Sequence, residues 1–581
     1  MVQPDLSTVR SHLVALYGQS LGDDTFERLR ATIDRYRKLP AFQHKADSLL
    51  SEQDSVLITY ADQLREPDTF PLETLTRFAE KYLTGLVSTI HILPFYPYSS
   101  DDGFSVIDYR TVHPQFGDWD HISRLSQSFH LMFDAVINHA SAQHEWFQAF
   151  LRDDPHYRDY FVLVEGAPDL SQVVRPRALP LLTTFDTPSG PKQVWTTFSA
   201  DQVDLNFQNP DVLLEIIDTL LFYVAHGAQL IRLDAIAYLW KEIGTSCIHL
   251  PQTHRVIRLF RAVLDVVAPH VLLITETNVP HQDNVSYFGS GNDEAQMVYN
   301  FALPPLVLHT IHTGDSRVLS NWASGLTLPS TTTTFFNFLA SHDGIGINPA
   351  RGILSDQEID ALIRRVIDHG GLVSYKHDVS GAQIPYELNV NYFDALSDPH
   401  STEYPNTQVD RFMTAQAIML ALVGVPGIYF HNLLGSRGWR AGVEQTGRNR
   451  TINRQKFDLA AFERELADES SLRNQVFQRY SQLLRARCES KAFHPHGAQA
   501  ILDYGESVFA VLRFSPDGST HVLCLHNVSD QPQRVKVDSR EIFGLFAGSL
   551  IDLISGNRMD DFSNDILVLQ PYQTLWLRIK E

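Results

Sequence analysis

Cysteine is almost missing from this sequence. Only Cys247, Cys488 and Cys524 occur in 581 residues, and their scatter fits neither a disulfide framework nor a metal-ligand spacing. That scarcity suits a reducing cytoplasm. Positive charge is also short: 47 basic against 68 acidic residues leave a net charge of −21. This balance argues against nucleic acid as a partner, because phosphate backbones are bound by clustered Lys and Arg. An anionic substrate would need locally placed arginines, since the overall field repels it. Long apolar runs are lacking as well. The longest, from Phe412 to Phe430, is interrupted by Gln416, Gly424, Pro426 and Gly427. It reads as a barrel helix followed by a strand, not as a membrane span. The opening MVQPDLSTVRSHLVALYG has no signal-type apolar core with a cleavage site. No low-complexity tract, short repeat, nucleotide fingerprint or nicotinamide fingerprint is visible. These absences point to a cytoplasmic globular protein without a membrane or nucleic-acid partner.

What is present is an alternation of short apolar runs with amphipathic segments. Eight runs stand out: 56–60, 89–93, 131–136, 230–233, 271–274, 297–299, 335–338 and 427–430. Helix-like stretches such as 211–226 and 253–268 separate most of them, so the strands are expected to be parallel. Eight strands predict a (β/α)8 barrel, an α/β fold needing about 250 residues. The remaining length is assigned to additions. Residues 1–52 are read as an N-terminal helical extension, in which Asp24 and Glu27 resemble a capping box. Phe26, Leu29, Ile33 and Tyr36 follow at helical spacing, and packing on the barrel is their expected role. The barrel is assigned to 53–138, 205–343 and 410–494, with an inserted B domain at 139–204 and an inserted B' domain at 344–409. Insertions of that length usually carry function. Residues 495–581 turn to short alternating strands, a small all-β domain.

In such a barrel the active site lies at the C-terminal ends of the strands. Ionisable residues end four of the predicted strands: Asp134 to His139 after the third, Arg232 and Asp234 at the fourth, Glu276 at the fifth, and His342 with Asp343 after the seventh. A single strand-end Asp more often caps a loop, and a single buried His is usually structural. Four ordered clusters at four strand ends are a different signal. Asp234 and Glu276 lie 42 positions apart, about one strand–helix unit, so neighbouring strand ends would bring them together. Two facing carboxylates are the apparatus of glycoside chemistry, one attacking the anomeric carbon and the other protonating the leaving oxygen. Arg232, on the same strand face as Asp234, would keep it ionised. Glu276 follows Leu272-Leu273-Ile274 and has no cation beside it in sequence, which suits a raised pKa.

The segments DAVINH, IRLDAIAY, ITETN and ASHDG resemble the four conserved regions of glycoside hydrolase family 13, the α-amylase family. By that likeness Asp234 is the nucleophile, Glu276 the acid/base and Asp343 the transition-state stabiliser. The segments HILPFYPYSSDDGFSVIDY, RPRALPLLTTF, KEIGTSCIH and FALPPLVLH are similar to the sucrose phosphorylase subfamily. That likeness implies a glucose pocket clamped by Asp101 and Arg450, lined by Phe104, Phe198 and Tyr238, and served by His139, Arg232 and His342. It implies no cofactor and no metal. Arg175 and Arg177, flanking a proline, are candidates for binding phosphate, and Tyr386 matches a tyrosine of a mobile loop in the subfamily. Two positions depart from the sucrose-cleaving pattern: Glu387 replaces a Gln, and Asn278 replaces a His. With them, the chain is most similar to the branch that phosphorolyses glucosylglycerate, giving glucose 1-phosphate and D-glycerate. Arg175, Arg177 or Lys241 would then bind the glycerate carboxylate. Phosphorolysis of sucrose, sucrose 6'-phosphate or glucosylglycerol, hydrolysis or transglucosylation, and an inactive barrel acting as a binding subunit are the alternatives. The expected partners are a sugar, inorganic phosphate and a small anionic acceptor, for a monomer or homodimer.

Overall fold

A computed structural model of the chain describes residues 6–43, 50–377, 382–537, 550–559 and 566–579. The eight apolar runs become eight strands: β1 (Val56–Thr59), β2 (Thr89–Ile92), β3 (His130–Ala135), β4 (Ala228–Leu233), β5 (Leu272–Thr275), β6 (Met297–Tyr299), β7 (Thr334–Asn337) and β8 (Val425–Tyr429). They close into a barrel in chain order, and every pairing is parallel. Strands covered on both faces have no solvent side, so they read as continuous apolar runs. All four residues of β1, β2, β5 and β7 are buried.

Two helices precede the barrel, α1 (Ser7–Tyr17) and α2 (Gln19–Tyr36). They pack on two outer helices of the barrel, α3 (Pro210–Ala225) and α4 (Pro251–Val267). Val9, Leu13, Leu29 and Ile33 are fully buried there, and Arg28 pairs with Asp211 at 2.6 Å. The capping-box expectation at Asp24 is corrected: α2 begins at Gln19, directly after the left-handed Gly18 (φ 79°), and runs through Asp24. Close packing explains the earlier start. At Gly22 the two helices approach so closely that a Cβ would lie 2.6 Å from Val14 Cα.

Two long insertions rise from the barrel rim. The first opens and closes with an antiparallel pair, His139–Ser141 against Gln202–Asp204, and carries the hairpin Leu182–Thr187/Gly190–Trp195. The second carries the helix Asp356–Asp368 and the hairpin Leu372–His377/Gln383–Asn389. The helix leading into β8 spans Pro405–Ala421, so it starts before the expected boundary at 410. Pro at the first helical position costs no hydrogen bond and presets φ, which fixes that start. After the helix Leu472–Cys488, a six-stranded sheet follows, and Val508, Leu523, Leu550 and Leu577 form part of its separate apolar core. Among the described residues no helix is long and apolar enough to cross a membrane. The three cysteines are unpaired.

Candidate active site

The barrel interior fixes the site from below. Asp134 on β3 and Arg232 on β4 are register partners, and their side chains pair inside the barrel. His91 on β2 hydrogen-bonds the other Asp134 oxygen at 2.7 Å. Burial acts to raise the Asp134 pKa, but Arg232 and then His91 outweigh it and hold the carboxyl at about 2. Arg232 lies under the rings of Phe104 (5.7 Å) and Tyr299 (5.4 Å) and reaches Asp234 Oδ1 at 3.1 Å. The guanidinium is a buried post, anchored below by Asp134 and touching Asp234 above.

Asp234 follows the last residue of β4, and the next residue, Ala235, is left-handed (φ 48°). A left-handed alanine is strained by about 1–2 kcal/mol. That turn aims the Ala235 amide at the Glu276 carboxylate, Oε2, at 3.0 Å. The Glu276 amide in turn donates to the Leu233 carbonyl at 3.1 Å. The two carboxylates therefore share one rim, linked through the backbone beside Asp234. Burial raises the pKa of both, and Arg232 opposes it in each case. Arg232 favours the ionised form of Asp234, as expected, but burial and carboxylate crowding oppose it. Glu276 also pushes Asp234 up, as Asp343 does Glu276. Arg232 contacts Asp234 and not Glu276, and the two carboxyls titrate as a coupled pair.

A cavity opens above this pair. Its wall includes Asp101, Phe104, His139, Phe198, Asp234, Tyr238, Glu276, His342 and Asp343. Phe104 stacks flat on His342, with centroids 4.6 Å apart and 2° between planes. Phe198 meets Tyr238 edge-on at 5.6 Å. Burial lowers His342 to about 3, so its ring is neutral and acts as donor and acceptor to hydroxyls. His139 Nε2 is already directed at the Phe104 carbonyl at 2.9 Å, which Gln202 also reaches at 2.9 Å. His139 therefore shapes the floor of the cavity.

Asp343 lies across from the pair. Despite burial, Arg450 at 2.5 Å, His342 and Arg454 keep it well below the ordinary carboxylate range. Asp101 is likewise held low against burial by Arg177 at 3.2 Å and Arg454 at 3.5 Å. Arg450 lines the cavity with Asp101, and it is engaged by Asp343 and, through two nitrogens, by Glu387 at 2.7 and 3.0 Å. Arg454, four residues on, lies behind that wall and bridges Asp101, Asp102 and Asp343. Both sit in the segment GRNRTINR.

Three expectations are corrected by the structure. Glu387 is buried behind Arg450 and is absent from the cavity wall. Lys241 is spent in a buried network, 2.6 Å from Asp204 and 2.7 Å from Asn138, which fastens the first insertion to the barrel. Arg175 folds onto the Leu179 carbonyl of its own loop. Of the arginine pair, only Arg177 reaches the cavity, held by Asp101 and lying over the Phe198 ring at 5.5 Å. Asn278 and Tyr386 are on the wall, joined by Asn348 and Lys376, which nothing in the sequence pattern singled out. A cavity with two carboxyls on one rim, both raised by burial and flanked by fixed arginines, is equipped for acid-assisted displacement at an anomeric carbon.

Known proteins share this arrangement. Residues 80–343 match the model of the α-amylase catalytic domain. The chain is 52% identical to glucosylglycerate phosphorylase of Spirochaeta thermophila over 98% of each chain. It is 45% identical to glucosylglycerate phosphorylase of Escherichia coli, over 98% of this chain and 99% of that one. The solved structure of sucrose 6F-phosphate phosphorylase from Thermoanaerobacter thermosaccharolyticum superposes with a TM-score of 0.71 at 26% identity, covering 82% of this chain and 94% of that one. The chain therefore belongs to the α-amylase family, glycoside hydrolase family 13, within its sucrose phosphorylase-like branch.

Proposed function

We propose that this protein is a retaining phosphorylase that reversibly converts 2-O-α-D-glucosyl-D-glycerate and phosphate into α-D-glucose 1-phosphate and D-glycerate. The observation that carries the reading is the carboxylate pair on one rim, with Arg232 on Asp234 and the Ala235 amide on Glu276, in a cavity that also holds Arg177. Full-length likeness to glucosylglycerate phosphorylases supports the choice of substrate.

In the first step Asp234 attacks the anomeric carbon, and Glu276 gives its proton to the departing glycerate oxygen. The glycosidic bond breaks as the β-glucosyl ester forms. Asp343 and the guanidinium groups set the charge balance around the oxocarbenium-like transition state. In the second step a phosphate oxygen attacks the same carbon, the ester bond breaks and the Asp234 carboxylate is restored. Glu276 regains a proton as phosphate enters. Two inversions leave the α configuration intact. Asp101 and Arg450 hold the glucose hydroxyls, and Arg177 receives phosphate. We place the reaction in the cytoplasm, where unpaired cysteines persist and a phosphate ester is retained.

The test is incubation with glucose 1-phosphate and single acceptors: D-glycerate, glycerol, fructose and fructose 6-phosphate. Phosphate release should be fastest with D-glycerate. Equal or faster release with fructose or its phosphate would overturn the substrate assignment.

A further inference from the structure

A glycerate acceptor brings a carboxylate into the cavity, and two of the three cations expected to receive it are elsewhere. Arg175 is folded on its loop and Lys241 is locked to Asp204. Arg177 lines the cavity, but the reaction proposed above assigns it to phosphate. The second insertion supplies another cation. Across its hairpin Lys376 is opposite Ile384, and Tyr386 lies at the bulge where the pairing shifts from Pro385 to Glu387. Both side chains line the cavity, so the hairpin presents an ammonium and a phenol to the reacting space.

Asn278, two residues past Glu276, and Asn348 share that wall. Asn278 Oδ1 is buried without a hydrogen-bond partner, which leaves an acceptor for a hydroxyl beside the carboxylate of the arriving molecule. Its amide packs on Gly346, where a Cβ would come within 2.5 Å of that oxygen. Proximity to the acid/base matters: the group that Glu276 protonates is the acceptor oxygen, so its neighbours face the acceptor. No carboxylate among the described residues pairs with Lys376. Burial, followed by the charge of Arg351, lowers its pKa, so its ammonium is under-solvated and gains from an arriving anion.

We propose that Lys376, assisted by Asn278 and Asn348, forms the acceptor subsite and recognises the carboxylate of a short hydroxy acid. The assignment rests on the reaction proposed above. It makes the second insertion the element that selects the acceptor, while the first insertion, through Arg177, serves phosphate.

The experiment compares the wild type with Lys376→Gln and Lys376→Arg, using glucose 1-phosphate as donor and either D-glycerate or the neutral glycerol as acceptor. Lys376→Gln should lower the ratio of kcat/KM for D-glycerate to that for glycerol by at least about tenfold, as expected for losing a charge-assisted hydrogen bond, and chiefly through the KM for D-glycerate. Lys376→Arg should recover most of the ratio. An unchanged ratio, or a KM for phosphate that rises by the same factor as that for D-glycerate, would overturn the assignment. A wild type that prefers a neutral acceptor refutes both this assignment and the reaction it rests on. A preference for a different anionic acceptor refutes only the identity of the substrate, and the same ratio measured with that acceptor then decides the role of Lys376.

Discussion

The amide of Ala235 donates to the Glu276 carboxylate at 3.0 Å, so the residue next to the proposed nucleophile positions the proposed acid. The left-handed turn at Ala235 is strained, and local strain of this kind persists where the surrounding structure over-determines it. Rotation of that turn would displace Asp234 and Glu276 together. Asp234 depends on a second tether, Arg232, which remains anchored by Asp134 whatever happens above it. Asp234→Ala should therefore keep its fold while losing about four orders of magnitude or more in glucosyl transfer. Phosphate release from glucose 1-phosphate with D-glycerate measures the loss, and thermal unfolding checks the fold. Activity within tenfold of wild type would remove Asp234 as the nucleophile.

The two raised carboxylates have opposite tasks, and pH separates them. Glu276 must be protonated to release the acceptor, and burial raises its pKa above the ordinary value of about 4.3. The kcat/KM for the glucoside should therefore fall on the alkaline side, as pH rises through the folded pKa of Glu276. Asp343 contributes to that elevation by charge repulsion. In the residual activity of Asp343→Asn the alkaline limb should move to lower pH. A limb that stays in place would separate it from Glu276.

Asp134 carries the acid sensitivity of the barrel interior. Its pKa is about 2 in the fold and about 3.9 in an unfolded chain. A depressed carboxyl stabilises fully above the unfolded value, and this contribution is lost as pH falls through the folded one. Between pH 5 and pH 1 the protein should lose about 2–3 kcal/mol from this group, most of it between pH 4 and pH 2. Asp134→Asn leaves Arg232 buried with a weaker partner, at a cost of about 3–5 kcal/mol near neutrality. The gap in thermal midpoint between wild type and variant should narrow below pH 4. A constant gap would show that Asp134 does not titrate in this way. The comparison cancels the contributions of Asp234 and Glu276, which run in the opposite direction.

Lys241 and Lys376 show what the sequence could and could not reveal. The eight strands were legible because burial on both faces writes them as apolar runs, and the carboxylates were legible because each ends such a run. The partner of a cation is not written locally. Lys241, seven residues after Asp234, reads as a free charge until Asp204 from the first insertion closes on it at 2.6 Å. Lys376 sits in VSYKH, which carries no signal, and only the hairpin pairing turns it to the cavity. Likewise, Glu387, 63 positions before Arg450, pairs with that arginine, and Arg454 bridges toward Asp101. Lys241→Met should accordingly lower the thermal midpoint, by about 3 kcal/mol of lost pairing and an exposed need in Asp204, without changing the preference for D-glycerate over glycerol. A changed preference with an unchanged midpoint would return Lys241 to the acceptor site.

Arg177 separates phosphorolysis from hydrolysis. It is part-buried, 3.2 Å from Asp101 and over the face of Phe198, so its guanidinium is held in one orientation before any anion arrives. It also lines an adjoining cavity with Arg448, Arg450 and Arg454, and Tyr386 and Gln202 are common to both walls. These arginines supply local positive charge in a protein whose net charge is −21. Arg177→Ala should raise the KM for phosphate at least about tenfold, the loss expected of a charge-assisted hydrogen bond. Release of glucose to water needs no anion and should fall by much less. Measuring glucose 1-phosphate and free glucose from the same glucoside, across a range of phosphate concentrations, gives both rates. Equal losses in the two reactions would mean that Arg177 acts on the glucose pocket through Asp101 and not on phosphate.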